Sequence, residues 1–277
     1  METVRSPTQF TATLAQRYRY AWILVQQLVI TDFKLRYQGS VLGYLWSLLK
    51  PLFLFTILYI VFVRFLRFGG DSPYPAISLL LGVVLWSYFV EVTNNSLTTI
   101  VSRGELLRKL NFPRYVVVVS VAAGALINLL LNLIVVALFM ALSRVPVGPQ
   151  LLLLPLLIIE LSALSVALGF LLSALYVRFR DLSYIWDVGL QAAFYATPII
   201  YPLSFIPIRY AKIIMLSPLA QIIQDARWAV VSTKTKTIST LYGDWWPRLI
   251  PLLIVVIAVL VSVYYFRRAS RWFAEEV

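Results

Sequence analysis

YVVVVSVAAGALINLLLNLIVVALFMAL, residues 115–142, contains no charged side chain. It is longer than the roughly 20 residues that, at about 1.5 Å each, cross a hydrocarbon core of about 30 Å. Working outward, further apolar stretches fall at 45–63, 76–94, 151–177, 185–201 and 249–266, joined by short basic connections. Only a bilayer makes that arrangement favourable, because in lipid a helix satisfies its own backbone hydrogen bonds. The sequence therefore predicts an all-α integral membrane protein with six transmembrane helices. These form one transmembrane domain over 1–277: an N-terminal amphipathic interfacial helix at 10–40, spans one to five within 45–201, an outer segment at 202–248 and the sixth span.

Composition agrees. Hydrophobic residues make up 61% and charged residues 13%, against roughly 45–50% and about 25% in soluble domains, which excludes a large soluble domain. Cysteine and histidine are both absent, so disulfides, Cys or His metal sites and histidine acid–base chemistry are excluded. No catalytic residue and no metal site is expected. Residues 1–9 show no apolar run and no small-residue cleavage site, so no removable signal peptide is expected.

Arginine and lysine set the orientation, since those in short loops near spans stay cytoplasmic. Arg17, Arg19, Lys34, Arg36 and Lys50 precede or enter span one, Arg103, Arg108, Lys109 and Arg114 lie between spans two and three, and Arg178, Arg180, Arg267, Arg268 and Arg271 fall on the same side. The short opposite loops hold only Arg64, Arg67 and Arg144. Both termini are therefore expected in the cytoplasm, with the chain in the cytoplasmic membrane. Topology and anionic headgroups account for the net charge of +12 without a nucleic-acid partner.

The connections carry their own patterns. Leu14, Tyr18, Trp22, Val25, Val29, Phe33 and Tyr37 recur at helical spacing with Arg17, Arg19, Gln26, Lys34 and Arg36 between them, the pattern of a helix lying along the membrane surface. Residues 96–114 combine Leu106, Leu107 and Leu110 with Arg103, Glu105, Arg108 and Lys109 and end at Asn111-Phe112-Pro113. Exposed leucines on a short helix suit a groove on a cytoplasmic partner, and the turn Arg178-Phe179-Arg180-Asp181 offers a second contact or a snorkelling helix end. In the outer segment Leu219, Ile222, Ile223, Ala226 and Val230 repeat at helical spacing, predicting short re-entrant helices. Within the spans, Ser165, Gly169 and Ser173 form a small-residue face for close helix approach. Asn128 and Asn132 are placed to bond across helices, and Glu91 and Glu160 require a partner or a wet cavity.

No glycine opens a GxxxxGK[ST] phosphate loop and no Gly-Lys dipeptide occurs, so ATP and Mg can be held only by a partner chain. The run Leu35-Arg36-Tyr37-Gln38-Gly39-Ser40-Val41-Leu42-Gly43-Tyr44-Leu45-Trp46 with Pro51, then Leu81-Gly82 with Trp86, Leu106 to Arg114, Arg180-Asp181 and Thr197-Pro198-Ile199-Ile200-Tyr201-Pro202 together resemble the permease subunits of ABC-2 type polysaccharide exporters, which serve O-antigen, capsule and wall teichoic acid. One departure is Ser217-Pro218-Leu219, where that family often has Asn-Pro-Leu.

The resemblance implies a homodimer with two nucleotide-binding ATPase subunits that exports a lipid-linked glycopolymer among membrane lipids, with no cofactor on this chain. It implies that Glu105, Leu106, Leu107, Arg108, Lys109 and Phe112, with Arg180 and Asp181, couple to the ATPase. Lys34 and Arg36 are expected to meet the carrier-lipid headgroup. Sugar CH faces stack on aromatic rings, so Tyr59, Trp86, Tyr88, Phe89, Phe194, Tyr195 and Tyr201 are the expected pore lining. Competing readings are an ABC-2 exporter of drugs or small lipids and a membrane-bound lipid-carrier transferase.

Overall fold

The computed structural model describes residues 7–36 (side chains from 19 onward, apart from 33, 35 and 36), 42–43, 45–66, 73–104, 113–270 and 273. Helix α1 (Pro7–Arg36) is followed by α2 (Leu45–Leu58), which continues into a π-helical segment at Tyr59–Phe65. Next come α3 (Pro75–Ser102), α4 (Tyr115–Leu142), and α5 (Leu154–Arg178) entered through a 3-10 turn at Pro149–Leu153. After α6 (Leu182–Ala196) lie three short helices, α7 (Ile208–Ile214), α8 (Pro218–Val230) and α9 (Ile238–Tyr242). A 3-10 turn at Trp246–Arg248 leads into α10 (Leu249–Ala269). Among the described residues five helices are long and apolar enough to cross a membrane: Leu45–Phe65, Pro75–Ser102, Tyr115–Leu142, Pro149–Arg178 and Trp246–Ala269.

The expected fifth span is shorter than its sequence suggests. Instead of 185–201, the helix covers Leu182–Ala196, about 22 Å at 1.5 Å per residue. Proline disfavours the helical region for the residue before it, and Thr197, preceding Pro198, is extended at φ −87°, ψ 135°. Residues 197–200 then turn into the protein and are buried, with Tyr201 turning back so that its hydroxyl donates to the carbonyls of Tyr195 at 2.8 Å and Ala196 at 3.3 Å. That satisfies carbonyls which the end of a helix leaves without partners.

Helix α3 is the hub and packs most extensively on α5 and α4. In lipid, helix association draws on close packing and polar contacts, because hydrocarbon tails are as apolar as leucine. The small-residue face of α5 supplies the close approach: Ser165 and Ser173 are fully buried, and a Cβ on Gly169 would stand 2.8 Å from Ser96 Oγ and 3.0 Å from Ser96 Cβ of α3.

At one end, Ala21 and Val25 of α1 share an apolar cluster with Ile100 of α3, Val116 and Val117 of α4, Val177 of α5, and Phe266 and Phe273. The start of the chain and the end of α10 thus meet there. An ion pair between Arg103 and Asp32 ties α1 to the same end. The face of α1 against the bundle is Ala21 and Val25, with Leu24 and Leu28 partly buried. Trp22, placed in the same apolar stripe by sequence spacing, points away with Ile23 and Ile30 and is exposed, because α1 has an apolar surface on both its bundle side and its outer side.

At the opposite end, α8 lies wholly inside the protein against α3, α5 and α10. Arg227 of α8 is its anchor. Nε donates to the Ser78 carbonyl at 2.9 Å, Nη1 to Pro198 at 2.7 Å and Nη2 to Ile199 at 2.6 Å, joining the start of α3, the 197–200 turn and α8. Burial pushes the guanidinium pKa down to about 10, so it stays charged at neutral pH. Gly82 is needed here, since a Cβ would come within 2.7 Å of Arg227 Nη2.

Candidate functional site

Helix α2 buries only Pro51 and Phe55, and α6 only Leu190. Both helices pack on α3 and leave large apolar side chains uncovered, among them Trp46, Phe53 and Ile57 on α2 and Tyr184, Ile185 and Val188 on α6. Between α2, α3 and α4 a cavity of about 660 Å³ opens, lined by Trp46, Ser47, Lys50, Trp86, Ser87, Glu91, Asn94, Asn95 and Asn128.

Its polar wall follows from helical spacing. Ser87, Glu91, Asn94 and Asn95 recur every three or four residues along α3 and so face one way. Asn128 of α4 donates to Glu91 Oε1 at 2.8 Å, while Asn132, one turn further, donates to the Asn128 carbonyl at 2.8 Å and to the Ser47 carbonyl of α2 at 3.3 Å. The carboxylate and both asparagines thus have the inter-helix partners their depth requires. Asn128 Oδ1 is buried with no hydrogen-bond partner, leaving an acceptor at the cavity wall.

An aromatic strip meets the cavity at Trp86. Trp86 stands 5.7 Å from Phe89 and 5.5 Å from Phe194, Phe89 lies 6.5 Å from Trp186, and Phe194 meets Tyr195 edge-on at 5.5 Å. Rings of α3 and α6 therefore make one continuous apolar strip beside the amides. Among the expected lining residues, Trp86, Phe89, Phe194 and Tyr195 come together in this strip, with Tyr195 64% exposed. Tyr88 is turned to the other side of α3 and donates to Ser162 of α5 at 2.9 Å, inside one protomer. Tyr59 sits apart, 5.8 Å from Phe55 on α2, and Tyr201 closes the end of α6. Ser47, Asn94, Asn95 and Trp186 were not singled out from sequence, although the i, i+3, i+4 repeat from Glu91 to Asn95 carries the signal, and Trp46 was noted only within the family-like run before the first span.

Of the remaining expected site residues, Lys34, Arg180 and Asp181 are described. Lys34 is exposed on α1. The Arg36 side chain and Glu105, Leu106, Leu107, Arg108, Lys109 and Phe112 lie outside the described residues. Arg180 and Asp181 are exposed in the turn between α5 and α6, with the Arg180 guanidinium 5.3 Å from the Tyr176 ring and Arg178 5.7 Å from that of Phe179. Glu160 is distant from the cavity and lies beside Gln221, Asp225 and Arg248. Among the described residues no group of three or more acidic, Cys or His side chains is placed to hold a metal.

Long apolar helices packed around a polar cavity are the architecture of a multi-pass membrane protein. Residues 23–231 match the ABC-2 type transporter family, and the chain belongs to it. It is 29% identical over 218 residues, 78% of this chain and 83% of the relative, to the O-antigen export system permease protein RfbA of Klebsiella pneumoniae. The protein of the same description from Myxococcus xanthus is 32% identical over 201 residues, 72% of this chain and 76% of the relative.

Proposed function

We propose that this chain is the transmembrane subunit of an ATP-driven exporter that moves a lipid-linked cell-surface glycopolymer, of the O-antigen, capsule or wall teichoic acid kind, across the cytoplasmic membrane. The observation that carries the reading is the α2–α3–α4 cavity, which sets amides and a carboxylate beside an aromatic strip. Sugars need both, since hydroxyls exchange hydrogen bonds with amide and carboxylate groups while their CH faces lie on rings. A transferase would need a catalytic constellation, and an exporter of apolar drugs would have little use for Glu91, Asn94, Asn95 and Asn128 on one wall. The O-antigen export role in the names of the relatives supports the same substrate class.

Two copies form the passage in this reading, with the uncovered faces of α2 and α6 turned towards the partner. Six crossings are made, the short α6 and the turn at 197–200 completing the fifth. This is supported by the position of Asp181, one turn after α5 ends, and by the bonds that hold Pro198 and Ile199 beside Ser78 at the other end. Both termini are then cytoplasmic, in keeping with the cluster shared by α1 and Phe266. The ATPase docks at residues 105–112 and at Arg180-Asp181, and Lys34 and Arg36 meet the pyrophosphate of the carrier lipid as it arrives along α1.

The test is purification of the chain after co-expression with the ATPase subunit, followed by ATP hydrolysis with and without lipid-linked glycan. Co-purification with glycan-stimulated hydrolysis is expected. Stimulation by apolar drugs alone, or glycosyl transfer by the chain without ATP, refutes the reading.

A further inference from the structure

A second cavity, of about 580 Å³, lies between α5, α8 and α10 at the Trp245 end of the bundle, away from the aromatic strip. Its outer walls are Leu156 and Ile159 of α5 and Leu252, Val256 and Leu260 of α10, apolar side chains of which all five are exposed on the bundle surface. Its floor is polar. Asp225 of α8 receives Arg248 Nη2 at 2.6 Å and Gln221 Nε2 at 2.6 Å, both on Oδ2, and Glu160 stands beside them.

Two features of that floor are unexplained by packing. Asp225 Oδ1 and Gln221 Oε1 are buried with no hydrogen-bond partner, on side chains only 1% and 2% exposed. Orphaned buried acceptors of this kind are costly and call for a donor. Arg248 is moreover the only basic residue among the groups that line the cavity, facing the two carboxylates Glu160 and Asp225. With both carboxylates ionised the floor is one cation short, and its orphaned acceptors call for a cation that brings N–H donors.

We infer that this groove binds a phospholipid bearing a primary ammonium, the phosphoethanolamine type, with the ammonium on Glu160, Asp225 and Gln221, the phosphate on Arg248 and an acyl chain along Leu252, Val256 and Leu260. Arg248 is 44% exposed, so its guanidinium stands at the rim, where a phosphate next to a deeper ammonium would fall. The exposed Trp245 and Trp246 match the level at which headgroups sit. A metal ion fits poorly, because Arg248 already occupies Asp225 and the walls are apolar. A flat face of a second copy cannot reach the recessed acceptors. The lipid here is a resident of the outer end, distinct from any polymer passing beside α3.

The test is native mass spectrometry of the full chain, delipidated in detergent and titrated with dioleoyl lipids carrying phosphoethanolamine, phosphocholine or phosphoglycerol. Phosphocholine keeps the positive charge and lacks N–H donors; phosphoglycerol lacks the charge. Phosphoethanolamine adducts should exceed phosphocholine adducts by about tenfold, a ratio that one charge-assisted hydrogen bond supports, with phosphoglycerol weakest. Glu160→Gln, a half-buried isosteric change, should abolish the preference while leaving the melting temperature without lipid unchanged, and Leu252→Trp should block adducts of every headgroup. Equal binding of the three lipids, an unchanged preference in Glu160→Gln, or no retained lipid because a second copy or a neutral Glu160 carboxyl completes the site, would each overturn the inference.

Discussion

Replacing Arg227 with leucine removes a guanidinium that bonds the carbonyls of Ser78, Pro198 and Ile199 at 2.6 to 2.9 Å. Each buried carbonyl that loses its donor costs about 1–3 kcal/mol, so the loss of three should destabilise this end of the bundle by about 3–9 kcal/mol, a large share of the roughly 5–15 kcal/mol that holds a domain together. At about 2–4 °C per kcal/mol, the melting temperature of the detergent-solubilised chain should fall by about 6 °C or more. Arg227→Lys keeps the charge but not the planar fork and should lose about half of that. Gly82→Ala should also destabilise, because its Cβ meets Arg227 Nη2 at 2.7 Å while the next neighbour, Ile199 Cγ2, is at an ordinary 3.5 Å. In the double mutant the obstructing guanidinium is gone, so the two losses should be clearly less than additive. Melting curves by fluorescence-detected size exclusion measure all four proteins. An Arg227→Leu chain that melts with the wild type, or strictly additive losses in the double mutant, refutes the anchor.

Tyr195→Ala should lower glycan export with no loss of thermal stability, since its ring is largely exposed, whereas Trp86→Ala should also destabilise by about 3–5 kcal/mol because a buried indole leaves a void; export per folded molecule in membrane vesicles separates the two. Asn128→Leu removes the donor to Glu91 and should cost about 1–3 kcal/mol, read as a drop in melting temperature that Glu91→Leu in the same chain partly restores. A double-mutant cycle on Asp32→Asn and Arg103→Gln should give a coupling of about 1 kcal/mol or less for this partly exposed pair, with faster hydrogen exchange along α1 in either single mutant. With no native cysteine, single cysteines at Ser239 and Ser270 should react with an impermeant reagent from opposite sides of the membrane.

Much of the bundle was legible because length and apolarity decide what crosses a bilayer: residues 115–142 are helix α4 with those ends, and Ser165, Gly169 and Ser173 do face a neighbouring helix. The fifth stretch misled because apolar character continues through Ile199 and Ile200 although Pro198 has already ended the helix. The aromatic site was legible by composition and not by direction. Trp86 and Phe89 are three apart and share a face, while Tyr88 lies roughly 130° round from the midpoint of that pair at 100° per residue and serves α5 instead. Arg227, Gln221 and Asp225 were illegible as a group: in sequence they are polar residues within a long connection, and the partners that give Arg227 and Asp225 their roles lie outside their own helix, at Ser78, Pro198, Ile199 and Arg248. The apolar stretch at 76–94 closes on Asn94, whereas helix α3 extends to Ser102, which places Asn94 and Asn95 well inside it.

In the proposed route the polymer passes along the cavity lined by Trp86, Glu91 and Asn94. The most direct measurement is photocrosslinking during turnover, with a photoreactive amino acid at position 94 in the reconstituted permease–ATPase complex and a radiolabelled lipid-linked glycan as substrate. Position 252, on the apolar groove at the other side of the bundle, serves as control. ATP-dependent glycan adducts at 94 and none at 252 are predicted. Adducts at 252 equal to those at 94, or none at 94 while the complex exports at the wild-type rate, would contradict the account.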